Sequence, residues 1–446
     1  MSPELIALTM FGTTMLLLLT GQRVFGAIGC VGAGMVLMLY GTGGIEIPFS
    51  AAFKLFNWFP MLTLPLFIYM GYVLSEAGIA EDLYKMLHVW FGRVRGGLAV
   101  GTIFLMVIIS AMNGLSVAGM AIGATIALPE MLRRGYDKVL ITGVVQGGSS
   151  LGILVPPSIV MVLYGMIARQ PVSQLWLAGV IPGLMMAAMF VIYVLIRAKV
   201  NPSLAPVVSD EELNMPLSEK LALLRAGIIP FLIFFAMTGL FIMGFTSLVE
   251  SSAVGATAAT LAAIFKGRFS WTMMHEIARK TLGVSSMFLW LILAALAFGA
   301  VFDGIGAVRA IENLFINRWE LSPWQVIIMM QISFVVMGMF LDDTAMLVIV
   351  APLYIPLVKT LDLGLGSGNT NLIWFGVLYT MTCQIAYITP PFGYNLFLMR
   401  SMAPKEITLP DIYRSIWPFV LMMTFSIVLV MLFPQIALWL PEAVRN

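Results

Sequence analysis

Apolar runs of about twenty residues, the length a helix needs to cross a bilayer, fill most of this 446-residue sequence. Clean runs lie at 4–20, 24–43, 58–75, 175–198, 226–246, 248–265, 281–302 and 411–433. Only 10% of the residues are charged and 60% are hydrophobic, against roughly 25% charged in an ordinary soluble domain. No soluble fold could cover that much apolar surface, so the sequence reads as an all-α integral membrane protein with a lipid bilayer for solvent. The net charge of +2 leaves no basic patch to match nucleic-acid phosphates. The start, MSPELIALTMF, lacks the basic residues and cleavage site of a signal peptide; its apolar run is expected to be a retained spanning helix. Cys30 and Cys383 sit in apolar stretches, and His88 and His275 in charged connections, so neither a disulfide framework nor a histidine metal centre is expected.

Four further apolar stretches, 96–131, 139–168, 323–358 and 371–399, are interrupted by Gly, Pro, Ser or Asn. Broken backbone survives at membrane depth only inside protein or beside a wet cavity. Taking 96–131 and 323–358 as re-entrant hairpins lets every other segment cross once. With the N-terminus outside, only Lys54, Arg169, Arg309, Arg318, Lys359 and Arg445 of the 24 Lys and Arg remain outside. The other eighteen face the cytoplasm, as the positive-inside rule requires. The first hairpin then opens inward and the second outward.

The long polar stretch 199–225 divides the chain and reads as a cytoplasmic linker with a short amphipathic helix. On either side the elements correspond in order. Runs 4–20, 24–43 and 58–75 answer to 226–246, 248–265 and 281–302; hairpin 96–131 answers to 323–358, broken helix 139–168 to 371–399, and 175–198 to 411–433. The organisation is therefore a first repeat over 1–200, a linker over 201–225 and a second repeat over 226–446. An odd number of crossings separates equivalents, so the repeats are inverted. Inverted repeats with paired broken helices are the signature of a secondary transporter with its substrate near the midplane.

The sharpest motifs are GGSSLGILVPPS (147–158) and QIAYITPPFGYN (384–395), each with a double proline deep in an apolar helix. Proline removes an amide donor and clashes with the preceding turn, so the helix breaks. The break frees carbonyls that can hold a bare cation and aims a half-helix N-terminus at an anion. The hairpin tips are SAMNGLS (110–116) and GMFLDDTA (338–345). Ser110, Asn113 and Ser116 are small oxygen-bearing side chains, and a carboxylate such as Asp342 or Asp343 is costly at membrane depth and usually functional. Only one of the two aspartates is expected to touch an ion; a cap on the following helix is the alternative role. From Ser110 to Pro156 is 46 residues and from Gly338 to Pro390 is 52, the excess lying in GLGSGNTN (364–371). Two equivalent tip-plus-break sites are expected, with substrate between the tips and Ser110, Asn113, Ser149, Ser150, Asp343, Thr389 and Asn395 as candidate substrate contacts.

The chain resembles, over essentially its whole length, the large membrane subunit of a tripartite ATP-independent periplasmic (TRAP) transporter. The marks are GGSSLGILVPPS, the stretch from Pro129 to Gly135, and TPPFGYN from Thr389. The resemblance implies an elevator-type importer of organic acids in the bacterial inner membrane, driven by two or more Na⁺ ions. It also implies two partners, a small four-helix membrane subunit and a periplasmic substrate-binding protein. Carried onto matching positions, one Na⁺ site would use Ser110, Asn113, Gly152, Val155 and Pro157. The other would use Gly338, Asp342, Thr389 and Pro391, mainly through carbonyls. The first tip departs from the family's serine-rich pattern, carrying Asn113-Gly114-Leu115. Some relatives carry the small subunit fused in a longer chain; at 446 residues this one is expected to meet it as a separate protein.

No Walker A motif follows any glycine-rich stretch, which argues against an ATP-driven pump. An enzyme would need a catalytic constellation, yet no histidine is placed to serve a serine or cysteine. The closer rival is a stand-alone Na⁺/dicarboxylate symporter of the same superfamily, since that fold shares paired hairpins and double-proline breaks.

Overall fold

The computed structural model describes residues 3–92, 94–114, 116–207, 216–306, 309, 310, 313, 318–339, 341, 343–390 and 393–445. Among these residues every regular element is helical. The first half comprises α1 (Pro3–Leu19), α2 (Val24–Tyr40), α3 (Glu46–Phe56), α4 (Thr63–Glu76), α5 (Ile79–Phe91), α6 (Gly97–Asn113), α7 (Ser116–Ile122), α8 (Leu128–Arg133), α9 (Lys138–Ser150), α10 (Ile159–Ala168) and α11 (Val172–Val200). After α12 (Leu217–Leu223) the second half comprises α13 (Arg225–Phe234), α14 (Leu248–Phe265), α15 (Trp271–Gly304), α16 (Pro323–Gly338), α17 (Asp343–Thr360), α18 (Gly368–Ile388), α19 (Tyr394–Met402), α20 (Leu409–Leu432) and α21 (Gln435–Arg445). The short helix expected in the linker is α12.

Among the described residues, eight helical runs are long and apolar enough to cross a membrane. Seven of them overlie clean runs of the sequence, and the eighth is α18. α1 has 17 residues, about 25 Å at 1.5 Å per residue, the short end of the range for a spanning helix. α18 has 21 residues and reaches roughly 31 Å unaided, so the second double proline ends a full-length helix rather than dividing one. The extra length comes from the polar stretch 364–371: Ser367 accepts the amide of Thr370 and starts the helix at Gly368. α3, α5 and α21 escaped the apolar-run reading because they are amphipathic. α5 buries Ile79, Leu83, Tyr84 and Leu87 at helical spacing and holds Glu81 and Lys85 outward. His88 lies on α5, which is not among the candidate spans, and His275 in the first two turns of α15.

Both hairpins are pairs of antiparallel arms. In the first, the Thr102 hydroxyl reaches Met131 Sδ at 3.8 Å, and a Cβ on Gly123 would meet the Met106 side chain. At its foot Tyr136 is buried; burial pushes its phenol up to about 12, against smaller opposing pulls from the Leu98 backbone and Arg134. In the second hairpin the hydroxyls of Ser333 and Tyr354 lie 2.7 Å apart. Ser322 and Gln325 form a reciprocal cap that starts α16.

The core is built on the helices that lead into the two double prolines. Every residue of α18 from Asn371 to Ile388 is buried, as is α9 from Leu140 to Ser150. Glycine lets α20 approach α9 closely: a Cβ on Gly143 would sit 2.5 Å from the Ser415 carbonyl, and one on Gly147 would sit 2.3 Å from the Phe419 ring. Gln146 Nε2 donates to Ser415 Oγ at 3.0 Å across the same contact. Large apolar side chains on α13, α15 and α20, among them Phe231, Leu282 and Leu421, face outward, as helices against lipid require.

Candidate functional site

The first break begins where α9 ends. Ser149 and Ser150 return their hydroxyls to the carbonyls of Gln146 and Gly147, at 3.0 and 2.7 Å. One 3₁₀ turn, Leu151–Ile153, follows, and the Leu151 carbonyl takes the amides of both Leu154 and Val155. Pro156 and Pro157 offer no N–H, so the carbonyls of Gly152 and Ile153 lose their helical donors. Ile153 is served instead by the Ser158 hydroxyl, which also accepts the amide of Met161 and starts α10. Among the described residues the carbonyls of Gly152, Val155 and Pro157 accept no hydrogen bond. These are the three carbonyls that the family resemblance assigned to one Na⁺, and an oxygen set without donors suits a hard monovalent cation.

The first tip rests on this break. Gly114 turns the chain at φ +64°, where a side chain is strained, and a Cβ there would lie 2.7 Å from the Pro157 carbonyl oxygen. The Gly114 carbonyl accepts the amide of Ile159, the first residue of α10, at 3.4 Å. Ser110 and Asn113 lie in the last turn of α6; their side chains fall outside the described residues, so neither is placed against an ion.

The second break follows α18. Thr389 is extended, returns its hydroxyl to the Ile385 carbonyl at 2.6 Å, and accepts the Gly393 amide at 3.0 Å. Pro391 and Asp342 lie outside the described residues. Gly338 ends the first arm of the second hairpin with no room to spare: its Cβ would stand 2.3 Å from Ala386 Cβ. Asp343 opens α17, its backbone carbonyl accepts the Tyr379 hydroxyl, and its carboxylate takes Thr344 Oγ1 at 3.5 Å. Gly338, Asp343, Tyr387 and Tyr394 border a cavity of ≈ 10 Å³, room for one water-sized occupant.

The two halves meet at Asn395. Fully buried in the first turn of α19, it donates from Nδ2 to Ser116 Oγ at 3.1 Å and to Ser149 Oγ at 3.3 Å. One amide thus joins the second break to the first tip and to the helix before the first break. Of the candidate substrate contacts, Ser149, Asn395 and the tip come together; Ser150 turns its hydroxyl to its own helix. Ser116, named only as a tip residue, proves to be the tip's link to Asn395. Gln384, the first residue of the second motif, was passed over. It is buried, and neither end of its amide finds a partner among the described residues, a state that costs about 1–3 kcal/mol. A buried glutamine six residues before a double proline was the available signal.

Comparison with known proteins assigns the family. The family model described as "Tripartite ATP-independent periplasmic transporter, DctM component" matches residues 11–436. The chain belongs to that family. Among curated relatives, the C4-dicarboxylate TRAP transporter large permease protein DctM of Pseudomonas aeruginosa is 28% identical, over 93% of this chain and 94% of that protein. The DctM of Rhodobacter capsulatus is 26% identical over 98% and 99%, and the ectoine TRAP transporter large permease TeaC of Halomonas elongata is 26% identical over 92% of each. Among solved structures, the YdaH transporter of Alcanivorax borkumensis superposes with a TM-score of 0.64 at 13% identity, over 97% of this chain and 99% of that one. At that identity the likeness speaks for the fold alone. This DctM-family chain is therefore a multi-pass inner-membrane protein and the large permease of a TRAP transporter.

Proposed function

We propose that this permease imports a small organic acid by Na⁺-coupled symport, through an elevator movement of two inverted repeats. It would receive the substrate from a periplasmic binding protein and work beside a small four-helix membrane subunit. The observation that carries the reading is the pairing of tip and break. Among the described residues the carbonyls of Gly152, Val155 and Pro157 have no donor, the Pro157 carbonyl lies beside Gly114, and Asn395 ties that tip to the opposite repeat. Binding at such a joint can hold the tip closed, which is how an ion or substrate would bias a movement of the whole unit.

The packing supports the inverted repeat through exchanged contacts. α2 packs on α15 and its counterpart α14 on α4; α9 packs on α20 and α18 on α11; α10 packs on α17 and α19 on α7. Each pair maps onto the other when the halves are swapped, as a pseudo-two-fold axis requires. The organic-acid reading is supported by relatives named for C4-dicarboxylates, sialic acid and ectoine.

The test is uptake in proteoliposomes with the small subunit and cognate binding protein, across a panel of organic acids and with Na⁺ varied. Uptake should require Na⁺, and Ser110→Ala and Asp342→Ala should weaken that dependence while the protein still inserts. Unchanged Na⁺ dependence in both variants refutes the ion-site assignment. Robust uptake by this chain alone would favour the stand-alone symporter.

A further inference from the structure

One crevice of the described molecule lies away from tips and breaks. It measures ≈ 850 Å³ and separates α3 and α15 from the end of α10, the second arm α17 and the start of α18. That is within the usual 300–1,000 Å³ of small-molecule sites. Its walls are largely apolar, formed by residues such as Ala295, Leu296, Ala351 and Ile355, and its charged residues are Arg169, Lys359 and Glu46. The charge distribution that orients the chain puts all three at the outer end.

The two cations are held in place by their backbones. Arg169 caps α10 at φ 53°, a left-handed conformation that glycine would hold without strain. Next to it, Gln170 Nε2 donates to Asn369 Oδ1 at 3.4 Å, binding the end of α10 to the start of α18. Lys359, in the last turn of α17, has its carbonyl so close to Gly368 that a Cβ there would lie 2.5 Å away. Both cationic side chains are exposed, and among the described residues neither forms an ion pair, with Glu46 or with any other carboxylate. Arg169 also lines a neighbouring crevice of ≈ 410 Å³.

We propose that this outer crevice is a receiving site for an organic anion, whose carboxylate is held by Arg169 and Lys359 before it reaches the hairpin tips. The proposal rests on the organic-acid reading above. Guanidinium offers a carboxylate two parallel hydrogen bonds and ammonium a compact charge. Low-dielectric walls strengthen both. Glu46 works against the pair and limits how firmly an anion is kept, so the site can release it inward.

The test reads charge and transport separately. A single cysteine at Ser50, on the crevice wall, is placed in a background lacking Cys30 and Cys383 and co-expressed with the small subunit. In right-side-out membranes, its rates with an anionic and a cationic methanethiosulfonate are compared, without substrate or Na⁺. The anionic-to-cationic ratio should fall roughly fivefold or more in Arg169→Gln/Lys359→Gln, as two nearby charges predict after screening, and should rise in Glu46→Gln. In the uptake assay the double variant, without the added cysteine, should raise KM about tenfold at an unchanged maximal rate and Na⁺ dependence. A ratio indifferent to the substitutions, or labelling only from the cytoplasmic face, overturns the site whatever the permease carries. A shifted ratio with unchanged KM overturns the receiving role and leaves organic-acid uptake standing. Failure of the wild type to take up any organic acid overturns the underlying reading, and the proposal with it, even where the labelling ratio shifts.

Discussion

Gly114→Ala tests the joint between tip and break. The substitution has two costs. The first is the left-handed backbone at φ +64°, about 1–2 kcal/mol for a residue with a Cβ. The second is the overlap of that Cβ with the Pro157 carbonyl oxygen, 2.7 Å away, and with the Ile159 amide nitrogen, 3.2 Å away. Both are backbone atoms that cannot rotate aside, and such overpacking costs typically about 1–3 kcal/mol. Gly135 supplies the control, because its φ is +76° but a Cβ there would meet nothing nearer than Pro206 Cγ at 4.0 Å. Gly135→Ala should therefore carry the first cost alone. The difference between the variants isolates the overlap, and if it falls on the ion-bound state it raises half-saturating Na⁺ by at least about fivefold. The assay is Na⁺-titrated uptake in proteoliposomes, with thermal unfolding in detergent alongside. Gly114→Ala should unfold earlier than Gly135→Ala and need more Na⁺; equal midpoints and equal Na⁺ requirements would show that the tip does not bear on the break.

Three further expectations follow from the packing. Asn395→Ala should leave Ser116 and Ser149 without their shared donor, destabilise by about 1–3 kcal/mol and depress uptake; wild-type uptake would remove Asn395 from the site. Gly143→Ala, pressed 2.5 Å from the Ser415 carbonyl, should lower the unfolding temperature, while Gly12→Ala, with nothing within 4 Å, should leave it within experimental error; equal midpoints would refute the close α9–α20 approach. Single cysteines at Arg95 and Arg134 should react with an impermeant thiol reagent only from the cytoplasm, and those at Ser322 and Lys359 only from outside; labelling of one hairpin's two ends from opposite faces would make it a full crossing and break the repeat.

Much of the architecture was legible from local chemistry. Apolar length alone placed most helices, because a bilayer admits few other arrangements of backbone. The double prolines located both breaks, since the loss of two amides depends on nothing beyond the chain itself. Amphipathic α3, α5 and α21 were missed because their apolar residues are spaced around a helix, not strung in runs. α18 was underestimated because hydropathy takes no account of caps such as Ser367.

The sequence by itself determined the membrane solvent, the order of helices, the places where the backbone must break and the family to which the chain belongs. Only the tertiary structure decided which freed groups remain available. Ser158 reclaims the Ile153 carbonyl while Gly152 stays without a donor among the described residues, and Asn395 meets Ser116 across 279 residues of chain. The same is true of the outer crevice, which Arg169 and Lys359 line from opposite halves. Hydrophobicity and missing amides act within a few residues and can be read along the chain. Hydrogen-bond partnership and shared cavities depend on which surfaces meet, and that is settled only when the halves pack together.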